Sequence, residues 1–254
     1  MSKKLFVVVA ILCMFFKLQA QRKYFTNTST WFAYIGTHHI GGKWSLFADA
    51  QLRRSDLFNQ QMQILLRPGL LYHITENTNL GLGYAYVITD VYGNLPAKAP
   101  FGENRFWQQF QYRASVGKFE VTNRLRLEQR WVHVPVQKAD LTWAAGDAVY
   151  TNRLRAMYKF SLPFKGNKIV DKSFYIYAGD EIFVNFGKNI KLNIFEQNRA
   201  QIGLGYRIPK LGRFEAGYSH QFIIRANGVD IEENHIIQMN LLANFDLKKR
   251  ESSH

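Results

Sequence analysis

From Lys118 to Trp131, polar and apolar side chains alternate along the chain. The even positions Lys118, Glu120, Thr122, Arg124, Arg126, Glu128 and Arg130 are all polar, and the odd positions include Phe119, Val121, Leu125, Leu127 and Trp131. Successive side chains of a strand point to opposite faces, so a period of two separates one wholly polar face from one mostly apolar face. The pattern recurs. Trp44, Leu46, Ala48, Ala50 and Leu52 oppose Ser45, Asp49, Gln51 and Arg53, with Phe47 the exception. Met62, Ile64, Leu66, Leu70, Tyr72 and Ile74 oppose Gln61, Gln63, Arg67 and His73. Phe214, Ala216, Tyr218, Phe222 and Ile224 oppose Arg213, Glu215, Gly217, Ser219, Gln221 and Arg225. The last segment sets Ile237, Met239, Leu241, Ala243 and Phe245 against Asn234, Gln238, Asn240, Asn244 and Asp246. Stripes at three- and four-residue spacing are scarce between Trp31 and Phe245, so the chain reads as all-β.

A soluble sandwich also alternates, but it turns Lys, Glu and Thr to water and hides its apolar face. Here the polar face is built of Arg, Gln, Glu and Gly, and Trp, Tyr and Phe stand near the segment ends of the apolar face. That arrangement suits an antiparallel transmembrane β-barrel, with an apolar outer band between two aromatic girdles and a polar lumen. An aromatic content of 15%, with 20 Phe and 13 Tyr, at a mean hydropathy of −0.23, fits strands with one face in lipid and one in water. Past Ala20 no run of 18 apolar residues occurs, which excludes spanning helices there.

The first twenty residues differ from the rest. Lys3 and Lys4 precede an apolar run from Leu5 to Phe16, and Leu18-Gln19-Ala20 closes it with a small residue. We read 1–20 as a secretory signal peptide, too short to span a bilayer, and 21–254 as a single barrel domain. Cys13 is the only cysteine and lies within the signal, so the mature chain has neither disulfides nor thiolate ligands. Removing Lys3, Lys4 and Lys17 lowers the formal net charge from +14 to +11. An exported basic chain meets phosphate-rich lipid before nucleic acid, so outer-membrane lipid is the expected partner and nucleic acid is not. The expected location is the outer membrane of a two-membrane bacterium.

Loop lengths set the expected orientation. The tight turns at Glu76-Asn77-Thr78-Asn79, Val116-Gly117-Lys118 and Pro209-Lys210-Leu211-Gly212 should face the periplasm. The longer stretches Val91 to Gly102, His133 to Asp147, Asn185 to Asn193 and Ala226 to Glu233 should lie outside, and Pro163 to Lys172 is long for a periplasmic turn. Eleven alternating segments are visible. Bacterial barrels normally have an even number of strands, which favours about 12, with a further strand near Tyr24 to Thr28, or 10 if Trp31 to Ile35 lies elsewhere. Pro68 has no ladder donor and marks a bulge or break.

Several blocks together carry a family resemblance: Trp31, Lys43-Trp44, Arg53, Leu66-Arg67-Pro68-Gly69, Gly83-Tyr84-Ala85-Tyr86, Glu103-Asn104-Arg105-Phe106-Trp107-Gln108-Gln109, Arg124-Leu125-Arg126-Leu127-Glu128-Gln129-Arg130 and Gln197-Asn198-Arg199. The mature chain resembles domain-of-unknown-function family 2490 over nearly its whole length. The resemblance implies an outer-membrane barrel of undetermined activity and supplies no catalytic residues.

The residues themselves offer little chemistry. Ser219-His220 and Asp180-Glu181 are neighbours on strands, so their side chains diverge and cannot share a proton. Gly81-Leu82-Gly83 and Gly203-Leu204-Gly205 lie inside strands and make room in a narrow barrel. No catalytic, cofactor or metal site is expected, and an outer-membrane hydrolase is the outlying alternative. Arginine stands out. Arg105, Arg153 and Arg199 each begin a strand descending from an outer loop, and Arg130 ends the ascending strand between the first two. All four should lie on the lumen face at similar height, with Glu103 and Glu128 two residues away on the same faces. Guanidinium groups hold phosphate and carboxylate bidentately, so the cluster suits a narrow channel or binding protein for small anionic solutes. The alternative is that the glutamates neutralise the arginines and close the barrel, leaving a structural or docking subunit for other envelope proteins.

Overall fold

The computed structural model describes residues 22–247; residues 1–20, the expected signal peptide with Cys13, lie outside the described residues. Eleven strands follow one another: β1 (Lys23–Gly41), β2 (Trp44–Ser55), β3 (Gln60–His73), β4 (Thr78–Thr89), β5 (Phe101–Val116), β6 (Phe119–Gln137), β7 (Trp143–Pro163), β8 (Phe174–Phe186), β9 (Phe195–Ile208), β10 (Gly212–Ile224) and β11 (Asp230–Asp246). Each pairs antiparallel with the next, and β1 closes the barrel against β11 in a parallel ladder from Lys23↔Asp230 to His39↔Asp246. The barrel is therefore all-β and mixed at one seam. Its strand count equals the number of alternating segments, within the expected range of ten to twelve. Tyr24 to Thr28 and Trp31 to Ile35 are parts of one long strand, so the described residues form eleven strands and not twelve. A parallel seam removes the need for an even count, and it puts the start of β1 and the end of β11 at opposite rims.

One rim carries the connections 56–59, 90–100, 138–142, 187–194 and 225–229, and we call it the loop rim; the other carries 42–43, 74–77, 117–118, 164–173 and 209–211 and is the turn rim. The stretch His133 to Asp147, expected as a long outer loop, is largely a ribbon of paired strands. It runs from His133↔Ala148 to Gln137↔Trp143 and steps over Val134 at a bulge. β5 stops pairing at Val132 and β8 at Asn152, so this β6–β7 ribbon projects past the rim. At its tip Asp140 accepts from the amide and hydroxyl of Thr142 at 3.0 and 2.6 Å, which holds its carboxyl below the usual aspartate value.

The core is inverted. Leu46, Leu52, Leu66, Leu82, Leu125 and Leu204 are exposed on the outer wall, while Asp49, Arg67, Glu103, Arg126, Glu128 and Glu181 are buried inside. Rings pair on the outer wall near both rims: Trp131 with Tyr150 at 5.2 Å toward the loop rim, and Trp44 with Tyr72 at 4.9 Å and Phe174 with Tyr206 at 4.7 Å toward the turn rim. Inside, the exceptional Phe47 meets Trp107 edge-on at 5.4 Å. Trp107 lies over Gly83, where a Cβ would meet its ring at 2.8 Å, and Tyr175 lies over Gly205 in the same way. These glycines make the room that the buried rings occupy.

Two irregularities shift side chains. Between Arg53↔Gln63 and Arg54↔Gln61 the ladder steps over Met62, which turns inward onto Trp31 and Ile236 instead of joining Ile64 and Leu66 outside. At Pro68 the β3–β4 ladder is interrupted between Leu66↔Tyr86 and Gly69↔Gly83 without a change of register. Tyr84, opposite Pro68, finds no proline N–H, and its carbonyl accepts from the Trp107 indole at 3.2 Å.

Candidate functional site

The strand register brings charged side chains into the lumen in rows. Arg105 on β5 stands directly opposite Arg130 on β6, and Glu128 on β6 opposite Arg153 on β7. Two like charges face to face repel, and Glu103 separates them. It accepts from Arg105 Nε at 2.7 Å and also from Arg130 Nε. Glu196 bridges the next pair, taking Arg130 Nη1 at 3.2 Å and Arg153 Nη1 at 2.9 Å. Arg153 donates further to Glu128 at 2.6 Å. Glu128 is fully buried and also accepts from Arg155 at 2.8 Å, with Arg67 from β3 within 3.9 Å.

Arg199 lies elsewhere. It pairs in register with Glu181, four residues before the Asn185 of β8 that faces Arg153 and so nearer the turn rim. Glu181 gathers Arg199, Arg124 at 2.9 Å and Arg155 at 3.0 Å. The structure thus brings Arg105, Arg130 and Arg153 together with Glu103 and Glu128, and sets Arg199 in a second group. Phe183 lies between the groups, with the guanidiniums of Arg155, Arg153 and Arg199 at 4.6, 5.4 and 5.6 Å from its ring.

Several of these bonds skip one or more strands on the inner side of the barrel rather than following one strand pair. Arg130 on β6 reaches Glu196 on β9, Arg124 on β6 reaches Glu181 on β8, and Arg213 on β10 reaches Glu120 on β6 at 2.6 and 2.7 Å. Near the turn rim Lys159 and Tyr175 both donate to Glu215, at 2.6 and 2.8 Å. Cross-links therefore run from one rim region to the other.

Glu181, Asp49 and Glu120 belong to this lattice although the spacing of the arginines does not single them out. Glu181 was legible: it shares parity with Tyr175, Tyr177 and Phe183, all buried inside. Glu196 owes its inward aim to a register shift between Phe183 and Val184, which turns it and Gln197 to the same side. Ser219 and His220 diverge as strand neighbours do. Ser219 Oγ donates to Gln238 inside, and the His220 ring lies 5.4 Å from His235.

Not every cation has a counterion. Arg53 is bonded only to Gln51 and Gln63 and lies 3.9 Å from the Trp31 ring. Arg126 bonds only Gln109, and Arg113 is exposed toward the turn rim. Among the described residues none of these three has an ion-pair partner.

Comparison with known proteins yields a family and one relative. The model of the family described as "Protein of unknown function (DUF2490)" matches residues 28–232. An uncharacterized protein of Methylorubrum extorquens is 28% identical over 217 residues, covering 80% of this chain and 82% of its own length. No solved structure matches.

Proposed function

The chain belongs to the DUF2490 family, and from that premise we propose that it is an outer-membrane β-barrel with a closed lumen, a structural or docking subunit rather than a solute pore. The ion-pair lattice inside the barrel is the observation that carries closure. Arg124–Glu181 bridges β6 to β8 past β7, Arg130–Glu196 and Arg213–Glu120 reach from β6 to β9 and to β10, and the buried rings of Trp107, Tyr175, Tyr177 and Phe183 fill further space inside. A wide aqueous channel belongs to barrels of about 16 to 18 strands; smaller ones are filled by side chains.

The membrane half of the reading rests on the outer wall. A soluble protein rarely exposes a continuous apolar patch of more than a few hundred Å², whereas this wall is apolar around the barrel. The steps from Phe119 to Trp131 cover about 40 Å of strand, which projects to roughly 30 Å at the usual tilt, close to the hydrocarbon thickness. With the short apolar run before Ala20, export and outer-membrane insertion follow. The projecting β6–β7 ribbon is the element placed to meet other envelope components.

A second reading, binding of small anions in the lumen, is favoured by Arg53, Arg113 and Arg126, none of which makes a contact ion pair among the described residues. Proteoliposome swelling tests the leading reading. Vesicles carrying the detergent-purified chain should swell in small sugars or small anionic solutes no faster than empty ones. Solute-dependent swelling would overturn it.

A further inference from the structure

The lattice carries more positive than negative charge. Glu103 serves both Arg105 and Arg130, Glu128 serves Arg153 and Arg155, and Glu181 serves Arg124, Arg155 and Arg199. With Glu196 between Arg130 and Arg153 and Asp49 on Arg67, five carboxylates face seven guanidiniums before Arg126 is considered. Arg126 is 1% exposed, stands directly opposite Arg155, and spends Nε and Nη2 on the neutral Gln109. Its Nη1 is buried with no acceptor in the protein, and so are Arg67 Nε and Arg124 Nε. Arg124 is two residues from Arg126 on the same face of β6, and Arg67 reaches Glu128, two residues away on the other side. Trp107 lies 5.1 Å from the Arg126 guanidinium and shields it.

Buried N–H donors are nearly always answered, and a buried charge stays ionised only when a countercharge is near. Water answers the donors but not the charge. We propose that the mid-lumen holds a small monovalent anion of chloride size, accepted by Arg126 Nη1 with Arg67 and Arg124 beside it. A compact halide suits a buried unpartnered N–H on Arg126 with two further unpartnered guanidinium N–H groups on Arg67 and Arg124, and it offsets the surplus of positive charge over the carboxylates of the lattice. The site is independent of whether the lattice blocks conduction, so its test stands apart from that of closure.

The experiment is bromide replacement in crystals of the detergent-solubilised wild-type protein, read by anomalous diffraction at the bromine edge. The expected result is an anomalous peak within hydrogen-bonding reach of Arg126 Nη1. A map with bromide only on the barrel surface or at Arg53 and Arg113 overturns the proposal. The same protein should show a thermal midpoint that rises as chloride replaces gluconate at constant ionic strength. In Arg126→Met that dependence should vanish, while Arg53→Gln should keep it. A chloride dependence unchanged in Arg126→Met also overturns the site, and if that variant does not fold, the wild-type bromide map decides alone.

Discussion

Glu128 has no exposed surface, and its two oxygens divide four arginines among them: Arg153 and Arg155 bond it, and Arg67 and Arg105 stand within 4.0 Å. Removing one side of a buried ion pair leaves charge that nothing compensates, at a cost of about 3 to 5 kcal/mol, whereas exposed pairs contribute about 0 to 1 kcal/mol. Glu128→Gln should therefore destabilise the barrel by several kcal/mol in urea unfolding. Glu120→Gln, whose carboxylate is 28% exposed beside Arg213, should cost far less. Equal losses would mean that burial does not govern the lattice. At this scale the sequence was informative about aim and poor about pairing. Parity placed Arg105, Arg130, Arg153, Glu103 and Glu128 on inner faces. The expectation that Arg199 lies at the height of the other three fails, because the offset between β7, β8 and β9 is set by loops whose geometry leaves no mark in the alternation.

β6 alternates from Phe119 to Trp131, with Leu125 half-exposed on the outer wall and Arg124 and Arg126 inside. If that wall meets lipid, a charge at Leu125 costs about 2 to 4 kcal/mol at mid-depth, while a lumen position already surrounded by polar groups bears one at less cost. Leu125→Arg should lower the folded yield, scored by heat-modifiable migration, well below that of Thr122→Arg. Similar yields would contradict the facing of this strand. Most strands were legible as elements because each buries one face. The exceptions have local causes. Met62 turns inward at a bulge, a change of one residue that reverses facing, and the β6–β7 ribbon continues the pairing into a stretch that reads by its length as an outer loop.

Across the whole molecule, eleven strands close only because β1 meets β11 in parallel, over pairs from Lys23↔Asp230 to His39↔Asp246. Alternation shows which side chains share a face but not which strands meet at a seam, so the closure could not be read from the chain. Lumen-crossing pairs such as Arg213–Glu120 depend on that closure, since β10 and β6 face each other only once the sheet is wrapped. The central claim is that these pairs shut the lumen. Single-channel recording of the purified protein in planar bilayers tests it most directly. The account predicts no unitary current steps in wild type across a salt gradient. Reproducible steps with an anion-selective reversal potential, reduced in Arg105→Gln with Arg153→Gln, would contradict it and make the lattice the wall of an open path.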